Sequence, residues 1–332
     1  MTLVRIIKNW DWPDLMRQTP GHRGAWNGIQ FSVESIESCD YAIVLNRVPE
    51  ETQVYCPPQQ VWSVMQEPPN ERFKLRHRGS VSNYRVYTQD SELRGQRYLL
   101  SHGAISWHVN KSYDYLASCN VPEKEQKLSW VTSNKTVFQG HRDRMCLLER
   151  IRGKIECDLY GYGFNPIADK WDGLAPYRYS IAVENFQNPY YWSEKLADCF
   201  LAWTMPIYFG CSRIEEYFPA EAMIRMDIDD PMVVEKVEEV LSNDIWHRNL
   251  DAIAEARKLV LERYQLFPFI AQEIADYERD RGSNAPARKT IILTRNLISP
   301  SITERDYWRM VGRQISRTTR SGKKILRRLL IR

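Results

Sequence analysis

Metal-binding cysteine pairs, long apolar runs and internal repeats are all missing from this chain of 332 residues. Its seven cysteines are odd in number and form no close Cys-x-x-Cys pair, so neither a zinc site nor a dense disulfide framework is indicated. The N-terminus has only a brief apolar run interrupted by charge, and nowhere do about 18 uncharged apolar residues follow one another, so neither a signal peptide nor a spanning helix is expected within this sequence. A reducing cytoplasm is the compartment that these absences favour.

The net charge of +4 hides an uneven distribution. Residues 305–332 contain ten Lys or Arg and one acid, Asp306, so this tail carries +9 and the preceding residues carry −5. Arginines recur every three or four positions from Arg305 to Arg320, which predicts a basic amphipathic helix suited to an anionic membrane surface. Nucleic-acid binding and a solvated charged end stay open, although no helix-turn-helix, zinc finger or RNP pattern accompanies the helix.

Short apolar runs that alternate with helical spacing predict an α/β fold. Predicted strands lie at 4–7, 41–45, 60–65, 84–87, 128–132, 155–160, 180–183 and 206–209, and predicted helices at 144–151, 196–203, 233–241 and 246–267. A polar segment at 122–127 predicts a linker. We therefore expect an N-terminal domain over residues 1–121, a C-terminal domain over 122–282, a closing segment at 283–304 and the basic tail.

One strand, loop and helix sequence is rich in polar side chains. The strand ends at Val183, the loop has turn chemistry, and the helix begins near Glu194. In open α/β sheets ligands bind beyond the carboxyl ends of strands, and a helix N-terminus attracts anions. Five polar residues fall in this zone, where a phosphate would be held: Glu184, Asn185, Tyr191, Glu194 and Lys195. By spacing alone, Glu194 and Lys195 could equally be first-turn surface charges.

The stretch from Tyr177 to Gly210 resembles the signature of the α-1,3/4-fucosyltransferases, glycosyltransferase family 10. Its elements are Tyr-Lys/Arg-Phe/Tyr, an apolar run, Glu-Asn, Tyr-x-Thr/Ser-Glu-Lys and Val/Ile-Pro-Ile/Val-Tyr-x-Gly, in that order and at matching distances. Ser193 stands where Thr is usual, a change that keeps the hydroxyl and the helix cap. The resemblance implies the GT-B architecture, in which two Rossmann-like domains face each other across a cleft, the first for acceptor and the second for nucleotide sugar.

The resemblance also implies an inverting transferase that moves L-fucose from GDP-β-L-fucose to a glycan hydroxyl. Two alternatives stay open: a GT-B transferase using another GDP-sugar, and a non-catalytic glycan-binding protein bound to a membrane or to nucleic acid. Animal members carry a membrane anchor that this sequence lacks, so we expect a bacterial type. It would be peripheral on the cytoplasmic face of the inner membrane and would modify an oligosaccharide or glycolipid in lipopolysaccharide biosynthesis or protein glycosylation.

For the donor diphosphate the resemblance implies Lys195 and Arg144, helped by Asn185 and Tyr191. Arg144 follows Ser-Asn at a strand end, as in the family, and this places Asn134 on the donor side as well. A solvated helix start is the alternative for Arg144.

Four further polar residues accompany this donor group. Glu194 is expected to accept hydrogen bonds from the ribose hydroxyls, and Glu184 belongs to the same donor group. Arg142 is a second arginine near the helix start, but the apolar spacing that follows favours Arg144. His141, beside the phosphate arginine, is expected to make a structural hydrogen bond.

Glu67 is the candidate for the base that takes the acceptor proton. The segment Gln66-Glu67-Pro68-Pro69-Asn70 resembles the family segment in which a strand ends in Glu before a Pro-containing turn. The alternative is a turn carboxylate in water, which would be a weak base. Glu71 is a neighbour that could be confused with it.

No metal ion or other cofactor is expected beyond the donor substrate. Asp227-Ile228-Asp229-Asp230-Pro231 is similar to the Asp-x-Asp of metal-dependent sugar transferases, but a proline at this point favours a helix start for Asp229 or Asp230. No spacing of His and Asp elsewhere indicates a metal site.

Overall fold

The computed structural model describes residues 1–282 and 286–295, and these form two compact α/β units. The first unit contains residues 1–12, 24–103 and the described residues from Ile270 onward (270–282 and 286–295), and the second contains residues 13–23 and 104–269. The predicted α/β class is confirmed, because each unit has its own parallel sheet, as a GT-B fold requires. The predicted basic tail at 305–332 lies outside the described residues, as does most of the closing segment.

The strands of the described residues are β1 (Thr2–Ile7), β2 (Ala25–Trp26), β3 (Ile29–Ser32), β4 (Tyr41–Leu45), β5 (Thr52–Cys56), β6 (Val61–Val64), β7 (Arg85–Thr88), β8 (Tyr98–Leu100), β9 (Gln126–Val131), β10 (Asp158–Tyr160), β11 (Tyr177–Val183), β12 (Met205–Phe209), β13 (Ile224–Arg225) and β14 (Lys289–Leu293). The α-helices are α1 (Tyr113–Ser118), α2 (Gln139–Ile151), α3 (Glu194–Leu201), α4 (Val233–Ser242), α5 (Ile245–Arg248), α6 (Leu250–Leu259) and α7 (Leu266–Arg281). Short 3-10 turns lie at Met16–Gln18, Pro20–His22, Pro58–Gln60, Lys74–Arg78, Lys170–Gly173, Ile214–Glu216 and Ala220–Ala222, and a π-helical turn at Val260–Tyr264. No helix in this described part has the length and apolarity that crossing a bilayer demands.

The first unit is built on a seven-stranded sheet in the order β2-β3-β1-β4-β6-β7-β8, parallel except for the β2–β3 pair. Its central strand β4 is buried at every position, which explains why Tyr41–Leu45 is a continuous apolar run rather than an alternating one. One face packs against the antiparallel pair β5–β14 through Val44, Val54 and Ile291. On the first unit's sheet, α7 adds Tyr277, whose ring lies 5.3 Å from Trp62 in an edge-to-face contact.

The observed division of the chain differs from the predicted boundary at residue 121. Residues 13–23 and 104–121 belong to the second unit, where Gln18 donates to the carbonyl of Trp107 at 3.1 Å. Most of α7 belongs to the first unit, where Glu278 accepts hydrogen bonds from Tyr41 and from Gln60. These contacts join segments distant in sequence, so the spacing of apolar residues alone did not indicate them.

The second unit is built on a wholly parallel five-stranded sheet in the order β10-β9-β11-β12-β13. The central strands β11 and β12 are almost entirely buried, and α3 presents its apolar face, including Leu196 and Phe200, to the core. Because β9 and β11 are parallel neighbours, their carboxyl ends meet at one edge of the sheet. The helices α2 and α3 begin beyond these two strand ends.

The single helix predicted over 246–267 is wrong. The structure has three shorter helical segments there, with breaks at Asn249 and Gln265, before α7 begins. Gln265 is extended (φ −68°, ψ 165°), and Pro268 follows in the first turn of α7. Proline lacks the N–H that a continuing helix needs but is tolerated in a first turn, so the chain restarts its helix here.

Lys124 has an unusual environment in the second unit, beside the end of α3. Its ammonium donates to the carbonyl of Ala202 at 2.8 Å and to the hydroxyl of Thr204 at 3.0 Å. No carboxylate pairs with it among the described residues. Burial lowers the pKa of Lys124 to about 7, because the charged form loses hydration without gaining an anionic partner.

This environment predicts a pH dependence of stability. The unfolded chain keeps a lysine pKa near its ordinary value of 10.5, so between about pH 7 and pH 10 it binds more protons than the folded chain. The free energy of unfolding should therefore rise with pH across this window, and Lys124→Met should flatten the rise. Chemical denaturation at several pH values measures it, with the exposed Lys127→Met as control. An unaltered pH profile in Lys124→Met would contradict the assignment.

Candidate functional site

The polar residues of the second unit gather where strands β9 and β11 end. Ser133 follows β9, and Glu184 and Asn185 follow β11 directly. The first turns of α2 and α3 begin at the same edge, so backbone N–H groups of both helices are directed to it. This edge therefore combines helix N-termini with the charged side chains described below.

Arg144 is held at this edge by three hydrogen bonds. One terminal nitrogen donates to Asn185 Oδ1 at 3.0 Å, and the other donates to the carbonyl of Ser133 at 2.9 Å and to its hydroxyl at 3.1 Å. The side chain is only 3% exposed, and its Nε atom is buried without a hydrogen-bond partner in the structure. A buried guanidinium with a donor to spare suits an anion at this point.

Gly140 allows α2 to begin close to the end of β11. A Cβ atom at this position would lie 2.2 Å from the carbonyl oxygen of Asn185, which is far inside van der Waals contact. The helix start therefore depends on a residue without a side chain, and the bond from Arg144 to Asn185 depends on the same approach.

Glu184 fixes the start of α3. Its carboxylate accepts from the backbone N–H of Ser193 at 2.7 Å and from the Ser193 hydroxyl at 2.6 Å, and it is 2% exposed. Lys195 Nζ lies 2.9 Å from the same hydroxyl and 3.6 Å from Glu184 Oε2. Burial raises the pKa of Glu184, and the nearby positive charge of Lys195 opposes that rise. Glu184 thus orients the first turn of the helix and its lysine.

The cationic neighbours of Glu194 keep its carboxylate ionised. Its Oε1 atom lies 3.4 Å from both Lys195 Nζ and Lys170 Nζ, and 3.8 Å from His108 Nδ1. Burial raises the pKa of this carboxyl, but the charges of Lys195 and Lys170 outweigh burial and hold it well below the usual range. Burial also lowers the pKa of His108. Glu194 therefore presents carboxylate oxygens that can accept from hydroxyl groups.

Asp198 and His108 were missed from the sequence. Asp198 is 1% exposed, contacts Lys170 Nζ at 3.0 Å and accepts from the backbone N–H of His108 at 2.8 Å. The signal for Asp198 was available, because a carboxylate lies there among the apolar positions of an amphipathic helix. His108 carries no such signal, since its segment lies far from α3 in sequence.

A pocket of about 330 Å³ opens among these groups. Its polar lining comes from Thr132, Ser180, Lys170, Lys195 and Asp198, and its apolar walls include Trp130 and Val183. The second unit therefore has a pocket next to the charged groups at the carboxyl edge of its sheet.

The other residues expected on the donor side occupy different environments. Tyr191 is buried, with its ring 6.4 Å from that of Phe186. Asn134 is exposed and donates its backbone N–H to Tyr162, so Ser133 and not Asn134 contacts the arginine.

The two residues beside Arg144 also differ from it. Arg142 is exposed and bonds to Gln139 at 2.7 Å. His141 is buried, and its Nδ1 atom accepts from the backbone N–H of Phe138 at 3.5 Å.

Glu67 belongs to the first unit, and its loop is held from both sides there. Asn46 Oδ1 accepts from the backbone N–H of Gln66 at 2.8 Å and of Glu67 at 3.1 Å. His77 Nε2 lies 3.0 Å from the carbonyl of Glu67, and its Nδ1 lies 2.7 Å from the Thr88 hydroxyl. Burial lowers the pKa of His77 to about 4, so the ring is neutral and donates through Nε2. The side chain of Glu67 is exposed.

The Asp-rich segment at 227–230 is part of a turn before α4. Asp230 accepts from the backbone N–H of Met232 at 2.8 Å and pairs with Lys236, and Asp227 accepts from the N–H of Asp229 at 3.0 Å. Over the described ranges, no group of three or more His, Cys, Asp or Glu could hold a metal ion.

Comparison with known proteins finds a family match over part of the chain. Residues 121–243, which include α2, α3 and the strands between them, match the model of the glycosyltransferase family 10 (fucosyltransferase) C-terminal domain. Every donor-side residue described above lies inside this matched region except His108, which is close to Lys170 in space but not in sequence.

The curated relatives that the chain matches are distant. It is 25% identical over 173 residues to the human 4-galactosyl-N-acetylglucosaminide 3-alpha-L-fucosyltransferase, covering 50% of this chain and 43% of the relative. It is 27% identical over 179 residues to the Bos taurus 3-galactosyl-N-acetylglucosaminide 4-alpha-L-fucosyltransferase, covering 52% of this chain and 46% of the relative. The matched part thus spans less than half the length of these relatives. A solved alpha1,3-fucosyltransferase has a TM-score of 0.47 and 14% identity, covering 90% of this chain and 93% of its own.

The approach of α2 to Asn185 can be tested by Gly140→Ala. Alanine is normally the better helix former, by up to about 1 kcal/mol. Here the added methyl group would overlap the Asn185 carbonyl, so we expect the free energy of unfolding to fall by roughly 1–3 kcal/mol. Thermal unfolding measures this, with the exposed Cys146→Ala on the same helix as control. A melting temperature equal to or above that of the parent would contradict the close approach.

Proposed function

We propose that this chain is an inverting fucosyltransferase that moves L-fucose from GDP-β-L-fucose to a hydroxyl group of a glycan. The observation that carries the proposal is the buried Arg144, which donates to Asn185 within the region that matches the family 10 model. It lies at the same sheet edge as the first turn of α3, which contains Lys195. Two cations at two helix starts on one sheet edge suit a diphosphate. The relatives' names support fucose as the sugar and a galactosyl-N-acetylglucosamine unit as the acceptor.

In the proposed reaction the donor diphosphate lies against Arg144 and Lys195. The bond between the fucose C1 and the β-phosphate oxygen breaks, and negative charge develops on the departing GDP. Cations already held in place stabilise that charge without reorganisation, which is how preorganised groups lower a barrier. Lys195 exchanges part of its contact with Glu184 and Glu194 for the phosphate oxygens. Glu194, kept ionised, accepts from the ribose hydroxyls.

The acceptor oxygen attacks C1 from the face opposite GDP, so the β-linked donor gives an α-linked product. The acceptor proton goes to Glu67, the proposed base, whose backbone is fixed by Asn46 and His77. General base catalysis of this kind contributes about 10²–10⁴-fold to the rate. No metal is needed in this scheme, because Arg144 and Lys195 supply the positive charge.

Separate variants distinguish the two proposed roles. Lys195→Ala should raise the Kd for GDP by roughly tenfold or more, since a charge-assisted hydrogen bond contributes about 1.5–3 kcal/mol, and should reduce transfer. Glu67→Gln should reduce kcat about 10²–10⁴-fold and leave GDP affinity unchanged. Calorimetric titration with GDP, and transfer assays with GDP-fucose, measure both.

The exposed Lys154→Ala is the matched control for the loss of one lysine in the same unit. Titration with UDP and CMP, with and without EDTA, tests nucleotide selectivity and independence from metal. Unchanged GDP affinity in Lys195→Ala would remove the phosphate assignment. Equal affinity for all three nucleotides would remove the fucosyltransferase proposal itself.

A transferase of the same fold that uses another GDP-sugar is the second candidate. This candidate is favoured because the donor residues named above contact the diphosphate and the ribose, and none of them is assigned to the fucose ring. Competition of GDP-fucose and GDP-mannose for transfer separates the two.

The basic tail supports a further proposal, attachment to an anionic membrane surface at the cytoplasmic face. Each Lys or Arg near such a surface contributes about 1 kcal/mol. Deleting residues 305–332 should abolish sedimentation with vesicles containing anionic lipid and leave turnover on a soluble acceptor unchanged. Vesicles of neutral lipid are the control, and undiminished sedimentation of the shortened chain would refute the attachment.

A further inference from the structure

A second pocket lies in the first unit and takes no part in the donor site. It has a volume of about 300 Å³ and opens where strands β4 and β14 end. Two arginines, Arg47 and Arg295, line it together with Ser80 and Asn83. No carboxylate is among its lining residues, all of which fall in the described part of the chain.

Arg47 is the principal cation of this pocket. Its Nε atom is buried and has no hydrogen-bond partner within the described residues, and no acid there forms an ion pair with it. Elsewhere on the described surface, arginines such as Arg225 and Arg288 do pair with acids. A desolvated guanidinium donor without a partner is costly unless a ligand satisfies it.

The pocket adjoins the loop that carries Glu67. Asn46 lines the pocket and also accepts from the backbone N–H of Glu67 at 3.1 Å. Arg76, which precedes His77 on the other side of that loop, feels both charges: burial lowers its pKa, Arg47 lowers it further and Glu67 raises it. A group bound at Arg47 would therefore lie beside the proposed base.

We propose that this pocket binds an anionic substituent of the acceptor, a carboxylate, sulfate ester or phosphate ester, through the guanidinium groups of Arg47 and Arg295. The inference rests on the proposed function, because it assigns the acceptor to the unit that carries Glu67. The pocket is small and partly open to solvent, so it suits one charged group rather than a long glycan. The anion anchors the acceptor so that a neighbouring hydroxyl lies next to Glu67.

The test compares galactosyl-N-acetylglucosamine with a panel of the same disaccharide carrying one sulfate ester at different positions. We expect at least one sulfated form to have a KM roughly tenfold or more below that of the neutral form at low ionic strength. Arg47→Gln and Arg295→Gln should each reduce this preference, and Arg47→Lys should retain part of it. Arg94→Gln, at an exposed position outside the pocket, should keep the full preference.

Equal KM values across the panel would overturn the proposal, and so would a preference that survives both glutamine variants. A weakened GDP affinity in Arg47→Gln would also overturn it, since the bound anion would then be the donor diphosphate. Because Arg295 is exposed, its variant reports on the pocket even where Arg47→Gln unfolds.

A direct titration of the full chain with the sulfated disaccharides, without donor, separates the two proposals. If GDP-fucose supports no transfer to any acceptor, the proposed function fails. Selective binding of a sulfated form that Arg47→Gln weakens would then still support the pocket, and equal weak binding of all forms would exclude it.

Discussion

The donor side of this molecule depends on one buried carboxylate, Glu184. It directly follows strand β11 and accepts two hydrogen bonds from Ser193, the N-cap residue of α3. These two donors and the adjacent lysine hold the buried carboxylate in one position. Breaking any of the contacts is costly, because it leaves a buried charge with fewer partners. The direction of α3, and with it the positions of Glu194 and Lys195, follows from this link between strand and helix.

The charges around α3 are arranged so that two carboxylates ten residues apart in sequence, Glu184 and Glu194, behave differently. Burial raises the pKa of Glu184, whereas Lys195 and Lys170 outweigh burial at Glu194 and keep it ionised. Asp198 shares Lys170, and so the lysine remains paired when Glu194 turns to another partner. Such a network can exchange internal contacts for contacts with a ligand without leaving a buried ion unpaired. A diphosphate entering beside Lys195 needs that property, because Lys195 is already in contact with two acids.

Much of this could be predicted from the sequence, and the failures have physical reasons. Strands β4, β9, β11 and β12 were predicted because buried parallel strands are continuous apolar runs. The apolar spacing on α2 favoured Arg144 over Arg142, and of these two arginines the structure buries only Arg144. The roles of Asp198 and His108, and the membership of α7 in the first unit, depend on contacts between distant segments. A single helix was predicted over 246–267 because Glu, Ala and Leu give this stretch a uniform helical spacing. The structure breaks the helix at Asn249 and at Gln265, whose backbone is extended.

The two units differ in how fully their chemistry can be interpreted, and the difference follows from what each is proposed to bind. A nucleoside diphosphate imposes fixed requirements, two cations, a helix start and a hydroxyl acceptor, and these leave a recognisable order of residues along the chain. An acceptor glycan imposes no such fixed pattern, since sugars differ in linkage and substituents. What the first unit does reveal is electrostatic: the rigidly held loop at Glu67 lies beside Arg47, whose Nε has no hydrogen-bond partner among the described residues. An anionic group on the acceptor would satisfy that donor, so charge on the acceptor would favour its binding in the unit that carries the proposed base.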